Sequence, residues 1–145
     1  MGRIICIDYG NKRIGIAVTD PLNMFASPLT TINPSLFDSF IEAYLKNEKV
    51  DAFVIGYPRK MNNQPSESVK YIDPFLKKLR KKYPEIIIHC VDERFTSQIA
   101  LRSMIEGGVK KEDRQDKSMI DRISASIILQ SWLDSGSNKK IETKV

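Results

Sequence analysis

Carboxylates stand at three places in this chain where chemistry could be done: Asp8, the adjacent Asp92 and Glu93, and Asp121. Asp8 closes the apolar run Ile4-Ile5-Cys6-Ile7, and Gly10 and Gly15 follow it. Asp92 and Glu93 close a second run, Ile86 to Val91, and Asp121 falls near the start of a long apolar-periodic segment. Carboxylates brought together repel one another and resist ionisation unless a cation lies between them. Oxygen donors select a hard ion, Mg²⁺ or Mn²⁺, over zinc. Two such ions about 3.5–4 Å apart activate water and stabilise the leaving oxygen of a phosphodiester. Metal-assisted phosphodiester hydrolysis is therefore a coherent chemistry for this set. Lys12, Arg13, Arg94, Lys110, Lys111 and Arg114 are the candidates to hold substrate phosphates.

Each acid also has a plainer reading. Asp8 could be a turn residue bonding its own backbone. Ser118 and Asp121 have the spacing of a capping box. Asp92 or Glu93 could pair with Arg94 or a nearby lysine. Other chemistries are poorly supplied. The single histidine, His89, lies mid-strand between Ile88 and Cys90, which suits neither a zinc site nor a nucleophile–histidine relay. Cys6 and Cys90 form no CxxC pair and read as buried packing residues, kept reduced in a cytoplasmic setting.

The elements that must position the acids alternate legibly. Residues 3–9 and 12–19 read as a β-hairpin, and Pro28 to Ile32 as a short third strand. Asn33 or Ser35 caps a helix whose buried face carries Leu36, Phe37, Phe40, Ile41, Tyr44 and Leu45. Ala52 to Gly56 has the continuous apolar run of a central parallel strand. A loop over 59–66 leads to a helix over 66–83, in which Pro74 should produce a kink or delay the start. The strand 86–91 follows, then a helix from Ser97 to Ile105, a charged loop from Gly107 to Lys117, and a last helix from Ser118 to Leu133. The order β-β-β-α-β-α-β-α-α predicts an α/β domain, a mixed five-stranded sheet with helices on both faces. It occupies residues 1–134 and leaves 135–145 as a polar, disordered tail. In such a sheet ligands gather at the carboxyl ends of parallel strands, where Asp8 and the Asp92–Glu93 pair would share a rim. Small residues Ser124, Ala125 and Ser126 would let the last helix pack closely and deliver Asp121 to it.

At 145 residues the chain has room for one domain with a real core, and 41% apolar with 28% charged residues is ordinary for a globular protein. No apolar run is long enough to span a bilayer and no signal-peptide pattern opens the chain, so the expectation is a cytoplasmic protein without a membrane partner. The net charge of +5 is concentrated at Arg59-Lys60, Lys77 to Lys82, and Lys110 to Lys117. Such patches attract nucleic acid, although a lysine run such as 77–82 is more often a solvated helix face.

Taken together, Asp8-Tyr9-Gly10-Asn11-Lys12-Arg13-Ile14-Gly15 through Asp20, Ile55-Gly56-Tyr57-Pro58, Asp92-Glu93-Arg94-Phe95-Thr96-Ser97 and the late Asp121 with Ala125 resemble the YqgF/RuvX family. The resemblance runs from about residue 3 to 133. It implies a ribonuclease H-like fold related to Holliday junction resolvases, and a nuclease role in maturing the 5′ end of pre-16S ribosomal RNA. The family's acidic site carries over onto Asp8, Glu93 and Asp121 as metal ligands, with Asp92 the alternative in the middle position. Precursor rRNA is then the expected partner, branched DNA the alternative, and the protein a monomer or weak homodimer. Tyr57 where family members commonly have Leu, Asn62-Asn63 where Asp-Gly is usual, and Pro74 are departures that remove no acid.

Two rival classes remain. A non-catalytic RNA-binding factor would keep the fold and basic surface without turnover, and a nuclease assay with Mn²⁺ separates it from an enzyme. An actin-like nucleotide-binding protein also places Asp and Gly in a strand-turn-strand, but it needs duplicated lobes that a chain of 145 residues does not supply.

Overall fold

The computed structural model describes residues 2–10, 12–57, 69–92 and 117–134. β1 (Arg3–Tyr9) and β2 (Ile14–Thr19) form the antiparallel hairpin, with Cys6 opposite Ala17 and Asp8 opposite Gly15. The turn closes with the Gly10 N–H donating to the Arg13 carbonyl at 2.9 Å. A Cβ on Gly10 would lie 2.7 Å from that oxygen, so the turn requires glycine. Because Arg13 belongs to this turn, β2 begins at Ile14 rather than at residue 12.

β3 (Ala26–Ile32) pairs antiparallel with β2 and starts two residues earlier than expected, at Ala26, with Pro28 inside it. Proline is tolerated there because β3 is an edge strand, with one row of ladder positions open. The Asn33 side chain accepts the Ser35 N–H at 3.0 Å and opens a 3₁₀ turn, Pro34–Leu36, which leads into α1 (Phe37–Asn47). That tighter turn corrects one expectation. Leu36 falls off the buried stripe and is 56% exposed, while Phe37 and Ile41 are buried.

β4 (Val50–Tyr57) runs parallel to β1, and β5 (Ile87–Asp92) runs parallel to β4. The five strands lie in the order β3-β2-β1-β4-β5, the expected mixed sheet. α2 (Val69–Lys82) precedes β5 and continues unbroken through Pro74. α3 (Lys117–Asp134) ends the described chain. The expected helix at 97–105, the loops at 59–66 and 107–117 and the tail 135–145 fall wholly or almost wholly outside the described residues.

Alternation along the strands divides the core. Ile5, Ile7, Ile14, Ile16, Phe53, Ile55 and Ile88 face α1 and α2, where Phe37, Ile41, Ile72, Leu76 and Leu79 complete one cluster. Ile4, Cys6, Ala17, Ala52 and Val54 face the other way, onto Ala125, Ile128, Leu129 and Trp132 of α3. Helices therefore cover both faces, as expected. α1 and α2 are also tied by ion pairs, Lys78 to Asp38 at 3.1 Å and Lys82 to Glu42. Those two lysines serve the helix–helix surface, in keeping with the solvated-face reading of their run.

Candidate active site

Parallel pairing puts the carboxyl ends of β1, β4 and β5 on one edge of the sheet. Ile7 pairs with Ile55 and Ile55 with Cys90, so Asp8, Gly56 and the end of β5 follow at similar height. Asp8 shares its strand face with Ile4 and Cys6, which pack against α3. Its cross-strand partner is Gly15, and cross-strand partners in an antiparallel pair project to the same face.

Gly15 decides where α3 can sit. A Cβ built there would meet the Asp121 carbonyl carbon at 2.5 Å and the Arg122 nitrogen at 3.0 Å. The α3 backbone occupies the volume that any other residue would fill. Ala17, the next residue of β2 on that face, is fully buried against the same helix. The small-residue register of β2 thus lets α3 approach, and the helix brings Asp121 to the strand residue paired with Asp8. Ser124 and Ala125 are buried farther along the helix, as their size led us to expect. Trp132 anchors its far end against His89, with ring centroids 5.0 Å apart, and the Gln130 side chain accepts the Ala26 N–H at 2.9 Å.

The capping-box reading of Asp121 fails on this geometry. α3 is already helical at Lys117, so Ser118 lies inside the helix and Asp121 in its second turn. The Asp121 carboxylate instead accepts a hydrogen bond from Arg13 Nε at 2.6 Å, both side chains being partly exposed. This interaction spans the β1–β2 turn and α3. It was not anticipated, since Arg13 read only as a phosphate ligand. A signal for the close approach at Gly15 was present: a glycine inside a strand marks the nearness of another backbone. Lys12 is exposed on the same turn.

The structure brings together Asp8, Asp121 and Arg13 around Gly15. Asp92 is the last residue of β5, on the same sheet edge. Glu93, Arg94, Lys110, Lys111 and Arg114 lie outside the described residues. Among the described residues no group of three potential metal ligands occurs; Asp8 and the backbone of Asp121 both adjoin Gly15. Cys90 offers no alternative nucleophile, because burial pushes its thiol up to about 11 and it remains protonated at neutral pH. His89 is buried against Trp132, as a mid-strand histidine with a packing role would be. No described helix is long and apolar enough to cross a membrane.

An α/β domain of this topology with acids at the carboxyl edge of its parallel strands is a ribonuclease H-like fold. Solved structures agree on the fold. Thermus thermophilus RuvC in complex with Holliday junction substrate superposes with a TM-score of 0.56 at 14% identity, over 94% of this chain and 98% of that one. The Fowlpox virus resolvase, also solved with Holliday junction DNA, gives a TM-score of 0.52 at 10% identity, over 92% of this chain and 97% of that one.

The family profile of RuvX, described as Holliday junction resolvase, matches residues 2–135, and the chain belongs to that family of nucleases. It is 53% identical to a protein of Christiangramia forsetii over 92% of this chain and 98% of that protein. It is 50% identical to one of Bacteroides thetaiotaomicron over 93% and 98%. Both carry the name "Putative pre-16S rRNA nuclease".

Proposed function

We propose that this protein is a divalent-metal-dependent nuclease that hydrolyses phosphodiester bonds in precursor 16S rRNA, maturing its 5′ end in the cytoplasm. The convergence of Asp8 and Asp121 on Gly15, at the carboxyl edge of the parallel strands, carries the reading. The name borne by relatives at about half identity over nearly full length supplies the substrate.

The donor chemistry fits a hard divalent cation. Asp8 and Asp121 offer carboxylate oxygens from two elements held together by the close approach at Gly15. Glu93, directly after β5, is the third ligand in this reading. Asp92 is the alternative in that middle position. Mg²⁺ or Mn²⁺ held there would activate water and stabilise the leaving oxygen of the scissile phosphate. Lys12 and Arg13 on the hairpin turn, with Arg94, Lys110, Lys111 and Arg114, bind the flanking phosphates. The functional unit is residues 1–134, acting as a monomer or weak homodimer.

The decisive experiment incubates wild type and Asp8→Asn with a precursor 16S fragment carrying its 5′ extension, with Mn²⁺ and with EDTA. Wild type should trim the extension only with metal, and Asp8→Asn should bind the RNA without cutting it. Equal cleavage by both proteins overturns the site. RNA binding without cleavage by the wild type overturns the enzyme and leaves a non-catalytic RNA-binding factor.

A further inference from the structure

Arg13 stands where a positive charge would compete with a metal ion. Its Nε donates to Asp121 Oδ2 at 2.6 Å, and the carboxylate is only 25% exposed. The arginine is the more exposed partner at 37%, and its backbone is fixed because its carbonyl closes the hairpin turn onto the Gly10 N–H. The pairing is monodentate, through Nε alone among the described residues, and so lacks the two-point grip of a bidentate arginine–carboxylate pair.

Asp8 lies across from Gly15 and the Asp121 backbone directly over it, so this edge of the sheet carries two acids on adjoining backbone. The Arg13 guanidinium supplies Asp121 with a counter-ion from within the chain. A cation ligated by Asp121 would draw on the same carboxylate.

Resting on the metal-site reading above, we propose that Arg13 is a positioning residue that latches Asp121 in the metal-free protein and is exchanged for the cation. While latched, Asp121 is held over Gly15 with its charge balanced. When a divalent ion takes the carboxylate, the guanidinium is released from a fixed backbone position on the turn that also carries Lys12. It then faces the substrate side of the site, where a phosphate can receive it. The same arginine thereby serves two states in succession, as surrogate cation and as phosphate ligand.

The exchange makes a signed prediction that needs no turnover. Because a partly exposed ion pair is weak, removing it should leave the protein folded and strengthen Mn²⁺ binding. Titration calorimetry on Arg13→Gln should show Mn²⁺ affinity raised about two- to fivefold over wild type. The melting temperature of metal-free Arg13→Gln should fall slightly, and its rise on saturation with Mn²⁺ should exceed that of wild type. Arg13→Lys, which keeps the charge, should give an affinity between the two. Asp121→Asn is the control for the site itself and should lose most Mn²⁺ affinity.

Unchanged or weaker Mn²⁺ binding by Arg13→Gln overturns the latch while leaving the metal site standing. Asp121→Asn that binds Mn²⁺ as wild type does removes Asp121 from the ligand set. No saturable binding by wild type overturns the metal site and the latch with it.

Discussion

The backbone of Asp121 occupies the space that a Cβ on Gly15 would need, and Gly15 is the cross-strand partner of Asp8. One missing methyl group therefore joins two acids that lie 113 residues apart in the chain. The hairpin and α3 meet at this point, and the candidate site depends on how closely they meet.

Gly15→Ala should consequently damage both stability and function. The overlap is with backbone, which cannot rotate away, so α3 must shift from β2. A cost of about 1–3 kcal/mol is expected for overpacking of this kind. Thermal unfolding should show the loss, and cleavage should fall more than stability alone explains. A protein as stable and active as wild type would mean that α3 can slide without consequence for Asp121.

Asp121→Asn should separate chemistry from stability. The carboxylate caps no helix end, and it is held by the partly exposed pair with Arg13. Such a pair contributes at most about 1 kcal/mol. The melting temperature should change little while metal-dependent cleavage is lost. Retained cleavage together with a large drop in stability would assign Asp121 a structural role instead.

Replacing Lys110 and Lys111 together with Ala tests the basic segment ahead of α3. If each lysine neutralises a phosphate, RNA affinity should fall similarly for all sequences. The log–log salt dependence should flatten by about one unit for each phosphate no longer neutralised. An unchanged slope would show that these lysines only solvate the surface.

Asp20 gives a pH prediction at the other end of β2 from the candidate site. Its carboxylate accepts the backbone N–H groups of Met24 at 2.7 Å, Phe25 at 2.8 Å and Leu22 at 3.3 Å, holding the β2–β3 turn. These bonds, that of Phe25 foremost, hold its carboxyl below the usual carboxylate range. A depressed folded value stabilises above the unfolded value, and the gain disappears as pH falls through the folded one. Asp20→Asn should therefore melt below wild type at neutral pH, and the gap should close in acid. A gap that stays constant with pH would show that the ionised form contributes nothing particular to the turn.

Much of this protein was legible in its sequence because the informative features are local. The runs Ile4–Ile7, Ala52–Ile55 and Ile86–Val91 have the short length and β-branched content of buried strands, and the segment after Lys117 has the length and period of a packed helix. Element order then constrains the sheet, since crossovers to parallel strands leave few topologies. Asp8 at one strand end and Asp92–Glu93 at another became candidates for the rim on that basis.

What chain periodicity could not express is the meeting of distant backbones. Leu36 looked buried because the helical repeat was read from Asn33, yet a 3₁₀ turn moves it into solvent. The capping role open to Asp121 disappears because α3 is already helical at Lys117, ahead of Ser118. The pairing of Arg13 with Asp121 depends on a helix lying directly on Gly15, a distance set by the absence of one Cβ and the packing of a whole face. Residue types and spacing determined the fold and the candidate acids. Tertiary packing alone decided that α3 lies on Gly15 and that Arg13 pairs with Asp121, because both depend on ångström-scale approach between elements that the order of residues does not encode locally.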